Sequence, residues 1–140
     1  MHYTTDKGDI GVAMATADMI KHGFDIFYPI SSTLPFDLIA FRNNRFYKIQ
    51  VKYRKIKNGC LYFRLTRAII KNGKTTERRI KNEEVDIYVI YCPDTNVCYY
   101  IKKKDVHNVS NLTLRILKNL NNQKKKIHFA NKFLPKGKTK

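Results

Sequence analysis

Three residues within the first 52 positions carry side chains suited to work on a phosphate ester. Asp37 stands in Leu34-Pro35-Phe36-Asp37-Leu38-Ile39, and Gln50 and Lys52 stand in Lys48-Ile49-Gln50-Val51-Lys52. Between the two segments lies Arg42-Asn43-Asn44-Arg45, whose asparagines tolerate the positive φ of a tight hairpin turn. With Asn43 and Asn44 as the turn, Asp37 lies directly opposite Gln50. Period-two alternation puts Lys48, Gln50 and Lys52 on one face of their strand and Tyr47, Ile49 and Val51 on the other. Opposed residues have Cβ atoms roughly 4.5–5.5 Å apart, so Asp37, Gln50 and Lys52 converge on one small site.

A carboxylate, an amide oxygen and an ammonium side by side suit metal-assisted phosphodiester hydrolysis. The oxygens of Asp37 and Gln50, helped by the Val51 backbone carbonyl, form a ligand set for a hard cation such as Mg²⁺. Such an ion polarises a phosphate oxygen and acidifies a bound water. Lys52 would orient that water or meet the charge developing at phosphorus. The same spacing also describes a solvent-facing ladder of Asp, Gln and Lys, which is the commoner outcome for a bare pattern.

The charge balance names the partner class. Lys and Arg number 28 against 11 acids, for a net charge of +17. That surplus calls for a polyanion, most simply nucleic acid, with an anionic membrane as the weaker option. Basic charge begins at the middle strands, and no acid follows Asp105. A hydrophobic share of 43% supports a real core and argues against a disordered basic chain. No run approaches a membrane span, and the polar, acid-bearing N-terminus does not read as a secretory signal. The expected location is therefore cytoplasmic or genome-associated. Cys60, Cys92 and Cys98 lack Cys-x-x-Cys spacing and read as reduced thiols.

The elements that must hold the site read as helix, strands, helix within one domain over residues 1–140, with a basic tail from about 134. A first helix is expected over Asp9–Phe24 on an apolar stripe of Ile10, Ala13, Met14, Ala17 and Phe24. Strands are expected at Ile26–Ile30, Phe36–Phe41, Phe46–Arg54, Leu61–Ile70, Val85–Tyr91 and Val97–Lys102, with a polar loop around Gly73. Leu112, Ile116, Leu117 and Leu120 suggest a second helix. The fold class is α/β in the broad sense, or α+β.

These residues resemble a known family. Pro35-Phe36-Asp37 with Gln50-Val51-Lys52 is similar to the PD-(D/E)XK nuclease superfamily, in the Q-x-K variant, and closer to the small endonucleases associated with group I introns. Similarity extends through Thr5-Asp6-Lys7-Gly8-Asp9-Ile10-Gly11, Gly23-Phe24, Glu84-Val85-Asp86-Ile87-Tyr88, Tyr91-Cys92-Pro93, Leu114-Arg115 and His128-Phe129-Ala130. It implies a restriction-endonuclease-like mixed β-sheet flanked by helices, acting as a site-specific double-stranded DNA endonuclease of homing type. It further implies Asp37 as principal metal ligand, Gln50 at the second-acid position, Lys52 as catalytic lysine, Mg²⁺ (with Mn²⁺ possible) as cofactor, and a homo-oligomer, dimer or tetramer. The family commonly carries a Glu on the first helix where this chain has Val12. Asp9 would then be either a substitute ligand or an N-terminal cap.

Affinity for a duplex comes mostly from phosphate contacts. Arg54, Lys55, Lys57, Arg64, Arg67, Lys71, Lys74, Arg78 and Arg79 are the candidate DNA-binding residues. Two alternatives accompany the nuclease reading: a catalytically inactive DNA-binding protein on the same fold, and a basic RNA-binding protein.

Overall fold

The computed structural model describes residues 3–106, 109–116 and 128–129. Its elements are α1 (Tyr3–Lys21), β1 (Asp25–Phe27), β2 (Leu38–Arg42), β3 (Arg45–Tyr53), β4 (Cys60–Arg64), β5 (Thr66–Lys71), β6 (Lys74–Arg79), β7 (Ile87–Cys92), β8 (Val97–Lys102), a 3₁₀ turn (Lys103–Val106), β9 (Asn111–Arg115) and β10 (His128–Phe129). A five-stranded sheet runs in the order β1-β2-β3-β7-β8, and a three-stranded sheet in the order β10-β9-β4. The pair β3–β7 is parallel and the other pairs of the large sheet are antiparallel, so that sheet is mixed. The α+β fold expected from the sequence is the fold observed.

Each face of the large sheet has its own core. On one face α1 lays Ala15 and Met19 against Leu38, Ala40, Ile49 and Val89. The other face presents Tyr88, Ile90, Tyr99 and Ile101 to Leu61, Phe63, Leu112 and Leu114 of the small sheet. β7 is therefore covered on both sides, which explains its nearly unbroken apolar sequence.

Several boundaries differ from the sequence reading. Helix α1 begins at Tyr3, and its buried face is Gly11, Ala15 and Met19 rather than the expected stripe: Ile10, Ala13 and Ala17 are exposed. The reason is close approach. A Cβ on Gly11 would sit 3.3 Å from the Tyr53 Cβ, so small residues let the helix lie directly on β3. Val12, expected off the apolar face, packs half-buried against this same core. The stretch Leu61–Ile70 is not one strand, because the chain leaves the small sheet at Leu65 and enters the separate ribbon β5–β6. The loop expected around Gly73 is the tight turn of that ribbon, with Asn72 and Gly73 both at positive φ. The second helix is not present in its described part, where Asn111–Arg115 is a strand fixed by pairing with β4. The rest of that segment and the basic tail from about 134 lie outside the described residues.

Cys60, Cys92 and Cys98 are free and buried, in β4, β7 and β8. Among the described residues no helix is long and apolar enough to cross a membrane.

Candidate active site

The β2–β3 hairpin has the register expected from its turn. Asn43 and Asn44 both take positive φ, and Leu38 pairs with Ile49. Asp37, one residue before β2, continues that register: its backbone N–H donates to the Ile49 carbonyl at 2.8 Å. Its carboxylate Oδ2 then accepts the Val51 N–H at 2.6 Å, so a side chain takes over where strand pairing stops. Asp37 thus sits at the mouth of the hairpin, level with Gln50 and Lys52.

The amide of Gln50 is oriented by one bond. Its Nε2 donates to the Pro35 carbonyl at 3.1 Å, while Oε1 is buried with no hydrogen-bond partner among the described residues. A buried acceptor left unpaired is costly, and it is what a hard cation beside Asp37 would satisfy. The Tyr88 hydroxyl, register-paired with Gln50 across β3–β7, is likewise buried and unpartnered. Among the described residues no group of three His, Cys, Asp or Glu side chains converges to hold a metal. An ion at this place would rest on one carboxylate, the Gln50 oxygen, the Val51 carbonyl and water. That suits Mg²⁺, which keeps several waters.

Electrostatics bind the pair Asp37 and Lys52. Burial pushes the Asp37 carboxyl above its usual range, partly offset by the Val51 N–H and the Lys52 charge. Burial also pulls the Lys52 ammonium below its usual range, helped by the charge of Arg54 and opposed by that of Asp37. Each charge is supported by the other in a site that disfavours both. The arrangement can seat a phosphate ester with a cation on one side and an ammonium on the other.

Arg54 plays a part that its position among candidate DNA contacts did not reveal. Its backbone N–H reaches the Tyr91 carbonyl at 3.0 Å, its Nε the Tyr62 carbonyl at 3.1 Å, and its Nη1 the Tyr53 carbonyl at 2.7 Å. The guanidinium therefore pins β4 to the end of β3 beside Lys52. An Arg two residues beyond a catalytic-type lysine was the available signal, but its partners lie on β4 and β7.

The other candidates divide into engaged and open groups. Arg78 makes a bidentate pair with Glu84 at 2.6 and 2.8 Å, and Arg67 approaches the same carboxylate at 3.6 Å while donating to the Thr33 carbonyl at 2.6 Å. Arg64 pairs with Glu77 at 2.9 Å, and Arg79 donates to Ser110 Oγ at 2.8 Å. Lys55, Lys57, Lys71 and Lys74 are exposed. On β5–β6, Arg67 lies opposite Arg78 and Lys71 opposite Lys74. Alternation places all four, with Ile69 and Thr76, on one face of the ribbon. Asp9 is the seventh residue of α1, too far inside the helix for a cap, and it is exposed with no hydrogen bond or ion pair among the described residues.

A family model for the PD-(D/E)XK endonucleases matches residues 2–135. The chain belongs to the PD-(D/E)XK endonuclease family. It is a nuclease of the kind that generally uses divalent metals. Among solved structures it is similar to a bacterial homing endonuclease, with a TM-score of 0.68, 19% identity, and coverage of 87% of this chain and 83% of that one. That likeness is one of fold. No curated protein matches the chain in sequence.

Proposed function

We propose that this PD-(D/E)XK endonuclease is a site-specific, double-strand DNA endonuclease of homing type, dependent on Mg²⁺ or Mn²⁺. The observation that carries the reading is the meeting of Asp37, Gln50 and Lys52 at one hairpin mouth, with the Gln50 Oε1 buried and unpaired among the described residues. Asp37, Gln50 Oε1 and the Val51 carbonyl would hold the cation. When bound, it would supply Lewis-acid polarisation of a phosphate oxygen and acidify water. Lys52 would hold the attacking water and meet the growing negative charge. Arg54 would keep Lys52 in place. The β5–β6 ribbon fits the width of a major groove, and its face bearing Lys71 and Lys74 supports a role in duplex contact. Cutting both strands at one locus favours a homo-oligomer, a dimer or tetramer, presenting one site per strand.

Val12 supports a second reading, a DNA-binding protein of the same fold that no longer cuts, because the first helix contributes no carboxylate there. Incubation with DNA spanning the intron-less form of the locus in which the reading frame is embedded separates the two. Cleavage that needs Mg²⁺ or Mn²⁺, and is lost with Asp37→Ala, supports the enzyme. Tight binding without cutting by either metal overturns it in favour of the second reading.

A further inference from the structure

A second basic cavity lies at the opposite end of β3 from Asp37. Its volume is about 330 Å³, and its walls include Arg45, Phe46, Asp86, Lys102, Lys103 and Lys104. Arg45 is five residues from Gln50 along an extended strand, so the two sites stand roughly 16 Å apart. The 3₁₀ turn positions its central cation: the Lys103 N–H donates to the Asp86 carbonyl at 2.9 Å, and the residue is only 3% exposed.

Lys103 is the anomaly. Its Nζ has one hydrogen bond, to the neutral Asn82 Oδ1 at 3.1 Å, and no carboxylate stands within ion-pair distance among the described residues. An ammonium carries three donors, and burying one without an anion is strongly unfavourable. The single acid in the wall, Asp86, already spends Oδ2 on the Lys48 N–H at 2.8 Å. Arg45, Lys102 and Lys104 add positive charge around the same opening. Burial also pulls the Lys103 ammonium below its usual range, a shift that a bound anion would oppose.

We infer that this cavity is a binding site for a phosphate group, separate from the catalytic site, with Lys103 as its buried anchor and Arg45 and Lys102 at its rim. The volume exceeds what one phosphate needs, and the exposed Phe46 ring forms an apolar wall for whatever carries it. Two sources share this chemistry, a backbone phosphate of bound nucleic acid and a free phosphate ester.

The test uses the full chain with inorganic pyrophosphate, in EDTA, followed by calorimetry. A duplex of about 20 base pairs is titrated separately by fluorescence anisotropy. Pyrophosphate affinity is expected to fall at least tenfold with Lys103→Met and with Arg45→Gln/Lys102→Gln. If nucleic acid supplies the phosphate, duplex affinity falls at least threefold in the same variants. If a free phosphate does, duplex affinity stays and only pyrophosphate binding is lost. The exposed rim pair decides the matter should Lys103→Met fail to fold. Pyrophosphate binding and duplex affinity that are both indifferent to Lys103 and the rim would overturn the inference. So would loss in Lys52→Met alone, which would return the anion to the catalytic site. Failure of the nuclease reading shows instead as absent cleavage, independently of either titration.

Discussion

The carboxylate of Asp37 and the amide of Val51 meet at 2.6 Å across 14 residues of chain. The bond occupies the place where a further strand pair would have formed, so the hairpin opens at that point and one carboxylate oxygen is held in a set direction. Charge is supported there by a single amide and by the ammonium of Lys52, against a burial penalty that acts on both side chains.

Asp37→Ala and Lys52→Met are expected to lower the cleavage rate by about 100-fold or more each, since each removes a charge aimed at the reacting phosphate. Asp37→Asn keeps the size of the side chain and removes its charge, and should lose metal-dependent cleavage while retaining most DNA affinity. Single-turnover kinetics alongside anisotropy measures both. Cleavage by Asp37→Asn at the wild-type rate would remove Asp37 from the chemistry.

The dependence of rate on pH follows from the two shifts. Asp37 must be ionised to hold the cation, and its raised pKa in the metal-free protein means that metal binding should weaken on acidification sooner than at an exposed aspartate. Lys52 must be protonated, and its lowered pKa places the alkaline limb below the ordinary lysine range. Arg54→Gln removes a like charge beside Lys52, so the alkaline limb should move to higher pH. A profile whose limb stays put in that variant would mean that Arg54 acts only by pinning β4.

Glu84 makes a separate prediction about stability. Its hydrogen bonds with Arg78 hold its carboxyl down at about 2, below the usual 4.5. A folded-state pKa below the unfolded one contributes stability that is fully present above about pH 4.5 and is lost as pH falls toward 2. Screening by solvent around the exposed side of the Arg78 pair leaves its contribution at about 1 kcal/mol or less. Glu84→Gln should therefore lower thermal stability at pH 7 and flatten its decline in acid. Identical melting curves at pH 7 would assign the pair no net weight.

The hairpin that carries the site was legible because its information is local. Asn43-Asn44 dictates a two-residue turn, the turn dictates register, and register brings Asp37 to Gln50. The inward role of Arg54 was not legible, because it depends on carbonyls of Tyr62 and Tyr91 that distant pairings bring near. Asn72-Gly73 is a stronger turn signal than Asn43-Asn44, yet β6 is Lys-Thr-Thr-Glu-Arg-Arg and has no apolar alternation. A ribbon exposed on both faces offers no such pattern. β9 misled for the opposite reason: its leucines are set by pairing with β4, and a short apolar run does not distinguish strand from helix.

On the ribbon, Lys71 and Lys74 face each other beside the turn, where like charges weaken a hairpin by a few tenths of a kcal/mol. Arg67 and Arg78 repeat the conflict at the base, but there Glu84 resolves it. Lys71→Gln/Lys74→Gln should leave folding intact or slightly improved, and should reduce the slope of log affinity against log salt by about 2 if both lysines touch phosphate. An unchanged slope would take the ribbon tip off the duplex.

Val12 offers the most direct way to separate a weak nuclease from a silent one. It lies in the turn of α1 that Gly11 presses against Val51 and Tyr53, the residues on either side of Lys52 in β3. Val12→Glu tests whether a carboxylate carried by that turn of α1 reaches the hairpin mouth from the Val51 face of β3. Without metal it should cost about 1–2 kcal/mol, the ordinary penalty for half-burying a charge in place of a packed methyl pair. With Mg²⁺ or Mn²⁺ the loss should be recovered, because a second anion strengthens the hold on a divalent ion. The variant should then cleave at least tenfold faster than the parent at limiting metal. Melting temperature measured with and without Mn²⁺ gives a readout that does not depend on catalysis. A Val12→Glu protein that is destabilised equally with and without metal, and cuts no faster, would show that this helix position does not face the ion.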